Sequence, residues 1–333
     1  MAVALLLGVA APVEAKADGG LAVAAPLSGT YAELGEAISN AVQPATMEDD
    51  ACQAEAAVAV AHKLVALRPG IVIGHPCSSA AIAAAPVYAA AGIPFIAVGA
   101  RHGDLTDKRA GPNVFRLAGR DDQQGRVAAD FLARAGGGRP IALLHDRTFA
   151  MSTIASDAAK ALAIAHPGLP VQQFPFVASE LDYALLVDKV AAFGAGTGGT
   201  GAILFAGYPS EAIVILRALR AKGVSAPLLG VDATATAEFG AGLADRRGEV
   251  FVLVSADHGA DALAARASAA ARLARDAMRT GASIQTGAFE DPQLGRIVFD
   301  AKGDAQLPSY QVNAWIDGAW KPIAASGDAI PLP

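Results

Sequence analysis

The stretch GIVIGHPCSSAAIAAAPVYAAAGIPFIAVGA, residues 70–100, decides the fold class. It opens on a short apolar run, turns at His75-Pro76-Cys77-Ser78, and continues into an alanine-rich run of helical length, Ser79–Ala91. Gly92-Ile93-Pro94 stops that run, and FIAVGA is apolar again. Two short apolar strands joined through one helix predict a parallel βαβ unit with both sheet faces covered.

The same alternation extends both ways. LAVAAPL (21–27) reads as a strand and Ala32–Thr46 as a helix. Ala54–Ala66 is helical in spacing, with Lys63 and Arg68 near its end, where cations suit the helix dipole. NVFRLAG (113–119) is a strand. The pattern then restarts. Helices are predicted over Gln123–Ala135, Ser152–Ala165, Leu181–Phe193 and Glu211–Lys222; strands over IALLHD (141–146), VQQFPFV (171–177), GAILFAG (201–207) and APLLGVD (226–232). Charged, glycine-bearing GRDDQQG (119–125) marks a seam between the halves, and EVFVLVSAD (249–257) reads as a second crossing; each could equally be a surface loop.

Length agrees with this division, since 333 residues suit two domains. A hydrophobic fraction of 53% excludes a disordered chain. Net charge is −6 with no basic stripe, which argues against nucleic acid. Residues 2–12 are apolar and Ala15-Lys16-Ala17 fits a cleavage site, so residues 1–17 read as a secretory signal, although no Lys or Arg precedes the apolar run. The alternative there is a buried first strand. No later segment has the length of a membrane span. In an exported chain the pair Cys52 and Cys77 is a disulfide candidate, the alternative being two buried thiols.

Motifs of enzyme chemistry are missing. Gly194–Gly199 matches G-x-G-x-x-G, but it follows a helix and precedes a strand, the reverse of a dinucleotide site. There is no phosphate-binding loop, no H-E-x-x-H, no C-x-x-C and no nucleophile elbow, and the histidines lack metal-ligand spacing. No enzyme, cofactor or metal is expected. Ser78, by contrast, stands at the carboxyl end of a strand, where α/β sheets bind ligands. A helix start there offers backbone N–H groups and a partial positive charge, a setting for a small carboxylate. The plainer alternative is that Ser78 only caps its helix.

From Asp49, DDACQAEAAVAVAHKLVALRPGIVIGHPCSSAAIAAAPVYAAAGIPFIAVGA resembles the periplasmic branched-chain amino-acid-binding proteins, the leucine/isoleucine/valine-type substrate-binding components of ABC transporters. LAVAAPLSGTYAELGEA, NVFRLAGRDDQQG, IALLHDRTFA, ILFAGYPSEAIVILRALRAKG, LLGVDA and GRIVFDAKGD extend the likeness over most of the chain. The resemblance implies a type I periplasmic-binding-protein clamshell, two doubly wound parallel-sheet lobes joined by a three-strand hinge. Lobe 1 would take residues 18–120 and 250–308, lobe 2 residues 121–249 and 309–333. It also implies a Cys52–Cys77 disulfide. The segment from Asp257 to Ala288 looks shorter than the family's usual one.

Site residues follow position by position. Ser78 matches the serine that contacts a ligand carboxylate, with Pro76 and Cys77 beside it. Gly99 and Arg101 fall where the family holds the amino-acid head group, and Arg101 replaces a small hydroxyl residue. Its guanidinium suits a carboxylate. Tyr208 matches the second-lobe tyrosine, and Asp232 the acidic partner of a ligand ammonium. Burial of an unpaired carboxylate being costly, Asp232 favours an amino-acid ligand, unless it pairs with Arg101 and leaves room for a ligand without an amino group. Ala150 and Leu34 replace bulkier or hydroxyl-bearing cleft residues, with Phe149 and Tyr31 nearby. The implied function is a periplasmic, monomeric solute-binding protein. It delivers a small carboxylate, an amino acid or an aromatic or aliphatic organic acid, to an ABC-transporter permease, with no membrane insertion after signal removal. A ligand sensor docking to a regulator is the alternative.

Overall fold

The computed structural model describes residues 19–180, 182–243, 249–256 and 259–323. The predicted signal segment 1–17 lies outside them, as do Leu181 and Asp257, at the ends of two predicted elements. The described residues group into two compact units, 19–121 with 259–308 and 122–256 with 309–323.

The first unit begins with β1 (Leu21–Ala25), α1 (Ala32–Ala41), β2 (Thr46–Asp49), α2 (Ala54–Leu67), β3 (Ile71–Gly74), α3 (Ser78–Ala91), β4 (Phe95–Ala97), α4 (Asp104–Asp107) and β5 (Val114–Arg116). Its strands pair in parallel, in the order β2-β1-β3-β4-β5. Side chains of a strand alternate between faces, and here each face has its own core. Leu21, Val23, Ile71, Ile73 and Ile96 pack on one side with Ile38 of α1. Ala22, Ala24, Val72 and Phe95 pack on the other with Leu64 of α2 and Ala84 of α3.

The second unit continues with α5 (Gln124–Gly136), β6 (Ile141–His145), α6 (Phe149–Ala165), β7 (Val171–Pro175), α7 (Ala184–Gly194), β8 (Ala202–Ala206), α8 (Pro209–Ala221), β9 (Leu228–Gly230), α9 (Ala237–Gly242) and β10 (Val250–Ser255). The chain returns to the first unit for α10 (Gly259–Thr280), β11 (Ala288–Asp291) and β12 (Gly295–Val298), and ends in the second with β13 (Tyr310–Ile316) and β14 (Ala319–Pro322). The second sheet runs β14-β13-β10-β9-β8-β6-β7. Ile141, Leu143 and Leu204 face α5 and α6, while Leu144, Ile203 and Phe205 face α7 and α8.

The α/β class with helix-covered parallel sheets holds, with specific corrections. The predicted helix 32–46 ends at Ala41 and gives way to strand β2. Thr46–Asp49 carries little apolar signal; it is a strand because β1 supplies its ladder at the sheet edge. The helix predicted from Ser152 starts at Phe149, where the Thr148 hydroxyl accepts the Met151 N–H. Strand β10, assigned with residues 250–308 to the first lobe, pairs with β9 and β13 in the second sheet. The β10–β13 and β13–β14 pairs are antiparallel, so that sheet is mixed. The segment that looked short holds one helix of 22 residues, α10, whose Ala267, Ala270 and Ala274 pack in the core with α1.

Candidate functional site

At the carboxyl edge of the first sheet, the turn after β3 and the loop after β4 meet. Gly74 has φ +144°, and a Cβ there would run into the Ala24 carbonyl, so β3 ends against β1 only with glycine. His75 follows at φ +43°, in the left-handed region disfavoured for a residue with a side chain. Cys77 is the N-cap residue of α3 but makes no side-chain cap, and Ser78 is the first helical residue.

Ser78 therefore does not cap its helix; that expectation is overturned. Its Oγ accepts the backbone N–H of Arg101 at 3.0 Å and of His102 at 3.1 Å. A hydroxyl has two acceptor sites and one hydrogen to donate. With two N–H groups on the oxygen, the remaining capacity of Ser78 is its O–H, a donor at a half-buried position. A carboxylate oxygen is the complementary acceptor.

The loop that supplies these N–H groups is held from beneath. Arg116 is fully buried at the end of β5 and donates from Nη1 to the His102 carbonyl at 2.7 Å. Its Nε reaches Asp304 Oδ1 at 2.8 Å, and a further nitrogen bonds Thr106 Oγ1. Arg120 bonds the second Asp304 oxygen at 3.1 Å and Asp107 at 2.7 Å. Hydrogen bonds from Arg120 and Lys302 hold the Asp107 carboxyl well below the usual carboxylate range.

Arg101 is partly buried, and its Nε donates to Asp121 Oδ1 at 2.6 Å, a counter-ion from its own unit. Arg266 on α10 is 5% exposed, its Nη1 bonds the Ala262 carbonyl, and burial together with the Arg101 charge pushes its guanidinium down to about 10. Gly99 lies against Pro76, and Leu34 packs half-buried at the edge of the first core. Ser78, Cys77, Gly99 and Arg101 are thus brought to one edge of the first unit. Cys77 is bonded to Cys52, with Cα atoms 5.5 Å apart.

In the second unit the candidates also gather at strand carboxyl ends. Ala150 stands in the first turn of α6, Tyr208 is the N-cap residue of α8, and Asp232 opens the turn after β9. These follow β6, β8 and β9, which are neighbours in the sheet. Tyr208 is 51% exposed and Phe149 88%. Ala150 and Asp232 are exposed too, and Asp232 Oδ1 accepts the Ala233 N–H at 2.9 Å. The cost of a buried carboxylate therefore does not act on Asp232 here, and that ground for an amino-acid ligand falls away. His145 and Asp146 close β6. Burial holds the His145 imidazole below its ordinary value.

Sequence reasoning missed the buried partners of this edge, Asp50, Tyr88, Arg116, Arg120, Arg266 and Asp304, and the exposed His102 whose backbone joins them. One signal was available, since His75 and Arg116 interrupt apolar runs at strand ends. Among the described residues no group of His, Cys, Asp or Glu could hold a metal ion, and no helix is long and apolar enough to cross a membrane.

A family model described as periplasmic binding protein matches residues 20–246. An amino acid binding protein of Pseudomonas aeruginosa is 32% identical over 259 residues, 72% of this chain and 66% of its own length. A leucine-, isoleucine-, valine-, threonine- and alanine-binding protein of the same organism is 29% identical over 236 residues, 66% of this chain and 61% of its own. The chain thus spans just under two thirds of the length of these two relatives. The crystal structure of a putative branched-chain amino acid ABC transporter protein from Rhodospirillum rubrum superposes with a TM-score of 0.72 at 18% identity, covering 92% of this chain and 100% of that one. At that identity the likeness shows the fold.

Proposed function

Because this chain belongs to the periplasmic binding protein family, we propose that it is the solute-binding component of an ABC importer and that its solute is a small carboxylate. The family and the relatives named above are binding proteins rather than enzymes. In this reading the protein works in the periplasm as a monomer and hands its solute to a permease.

The observation that carries the carboxylate is the Ser78 hydroxyl. Its oxygen accepts two backbone N–H groups, which leaves its O–H to act as a donor. The N-terminus of α3 adds a partial positive charge at the same edge. Ser78, Gly99 and Arg101 take the acid group, with Cys77 and Leu34 beside it. Tyr208 and Asp232 take the other end of the head group, and Phe149 flanks the small Ala150 along the apolar part.

An amino acid is the better-supported carboxylate. Arg101 has Asp121 as a counter-ion within its own unit, so it does not require Asp232. That leaves the exposed Asp232 carboxylate for a ligand ammonium. Both Pseudomonas relatives are amino-acid binders by name.

A thermal-shift screen tests this reading. One set holds L-amino acids, the other matched keto, aromatic and dicarboxylic acids without the amino group. A solute at about 100 times its dissociation constant stabilises by about 2.7 kcal/mol. The expected result is a raised melting point with amino acids. A shift confined to amino-free acids would return Asp232 to another role, and no shift in either set would overturn the carboxylate reading.

A further inference from the structure

Beneath the Ser78 turn lies a polar chain that the proposed binding chemistry does not use. Asp50, His75 and Tyr88 are each fully buried. His75 Nδ1 is 2.7 Å from Asp50 Oδ2, and His75 Nε2 is 3.0 Å from the Tyr88 hydroxyl. The other Asp50 oxygen accepts the Cys52 N–H at 2.8 Å. A carboxylate only accepts, so Nδ1 carries the hydrogen that faces Asp50, and in the neutral ring Nε2 is then the acceptor for the phenol O–H. Burial and the Asp50 charge raise the Tyr88 hydroxyl above its ordinary value, which keeps that donor protonated.

We infer that the Asp50–His75–Tyr88 relay is a positioning device for Ser78, fixing the strained turn that presents the serine hydroxyl to the solute. The relay joins the segment after β2, the end of β3 and the last turn of α3. It holds His75 in its left-handed conformation, three residues before Ser78. The backbone at Ala51 and Cys52 is left-handed too, at φ +48° and +58°, and the Asp49 and Asp50 carboxylates accept their N–H groups. Conformations of this kind persist only where their surroundings over-determine them. Cys77, next to Ser78, is bonded to Cys52. The turn is thus gripped at His75 through its ring and at Cys77 through its sulfur, and Ser78 in turn receives the Arg101 and His102 N–H groups. A buried Asp–His–Tyr chain without that duty would carry a desolvation cost that three apolar residues avoid.

The functional meaning rests on Ser78 as carboxylate donor, but the test needs no ligand, so failure of the solute reading and failure of the relay are separate results. Amide hydrogen exchange is followed by NMR on the full chain. Ser78→Ala defines the local signature, a loss of protection at the Arg101 and His102 amides. Tyr88→Phe, which deletes one hydroxyl, is expected to reproduce that loss, about tenfold at those two amides, while amides of β1 and the second unit keep theirs. In the double variant the two amides should lose no more than in Ser78→Ala alone, because both changes act through one group. Asp50→Ala serves as the second variant, since it leaves His75 Nδ1 without any partner at that position whichever ring nitrogen carries the hydrogen; the same local loss is expected. Unchanged protection at Arg101 and His102, or a uniform loss across the first unit, would overturn the positioning role.

Discussion

Gly99 lies directly against Pro76: a Cβ on Gly99 would stand 2.8 Å from the Pro76 Cα and 2.9 Å from its carbonyl oxygen. The absent side chain lets the loop after β4 settle on the turn after β3. That approach is what brings the Arg101 and His102 N–H groups onto Ser78.

Gly99→Ala should therefore separate the two segments. Real Cβ atoms do not sit that close to backbone, so one loop must move, at a cost of about 1–3 kcal/mol as for other overpacking changes. Urea unfolding should show that loss. Solute affinity should fall with it, because the Ser78 hydroxyl loses the N–H groups that orient it. Unchanged stability would mean that the loops meet for another reason.

The buried arginine beneath the site makes a second prediction. Arg116 has no exposed surface and Asp304 is 8% exposed, so removing one partner strands a charge in a dry environment. Asp304→Ala should destabilise the protein by about 3–5 kcal/mol. It should also loosen His102, whose carbonyl Arg116 holds. Denaturation midpoints, with exchange at the His102 amide, measure both.

Acid should act through Asp107. Its carboxyl is depressed by Arg120 and Lys302. A carboxylate whose folded value lies below its unfolded value adds stability above the unfolded value, about 4, and loses it as pH falls through the folded value. Stability should decline on acidification below about pH 4. Asp107→Asn should be less stable at neutral pH and show a shallower decline. Urea midpoints measured from about pH 5 to about pH 2 decide this.

Reduction of Cys52–Cys77 is the fourth prediction. The bridge spans 25 residues of chain and should contribute about 3 kcal/mol in the loop-entropy account. Dithiothreitol should lower the melting temperature of the first unit's transition. Solute affinity should fall as well, since Cys77 adjoins Ser78.

What the sequence made legible follows from where local pattern and tertiary structure agree. The strands flanking α3 were readable because both are continuously apolar, as strands buried on both faces must be. Strand β2 was not, because TMED at a sheet edge has no apolar period and forms on the β1 ladder. The antiparallel addition of β13 and β14 was equally silent, being set by pairing with β10. Ser78 was readable from its place after a strand, but its bonding was not. Both donors come from a loop 23 and 24 residues away. Asp50, His75 and Tyr88 stood in plain view as residues, yet only folding makes them one chain of hydrogen bonds. Asp232 shows the opposite error, a residue argued from a burial that the structure does not have.

The central claim is that the Ser78 hydroxyl donates to a carboxylate, and calorimetric titration with a matched acid and amide tests it most directly. The L-amino acid that raises the melting point most in the thermal-shift screen, and its amide, would be titrated into the wild-type protein and into Ser78→Ala. A hydrogen bond to a charged group contributes about 1.5–3 kcal/mol. The wild type should therefore bind the acid at least about tenfold more tightly than the amide, and Ser78→Ala should lose most of that preference. Equal affinity for acid and amide, or a preference that survives in Ser78→Ala, would contradict the account.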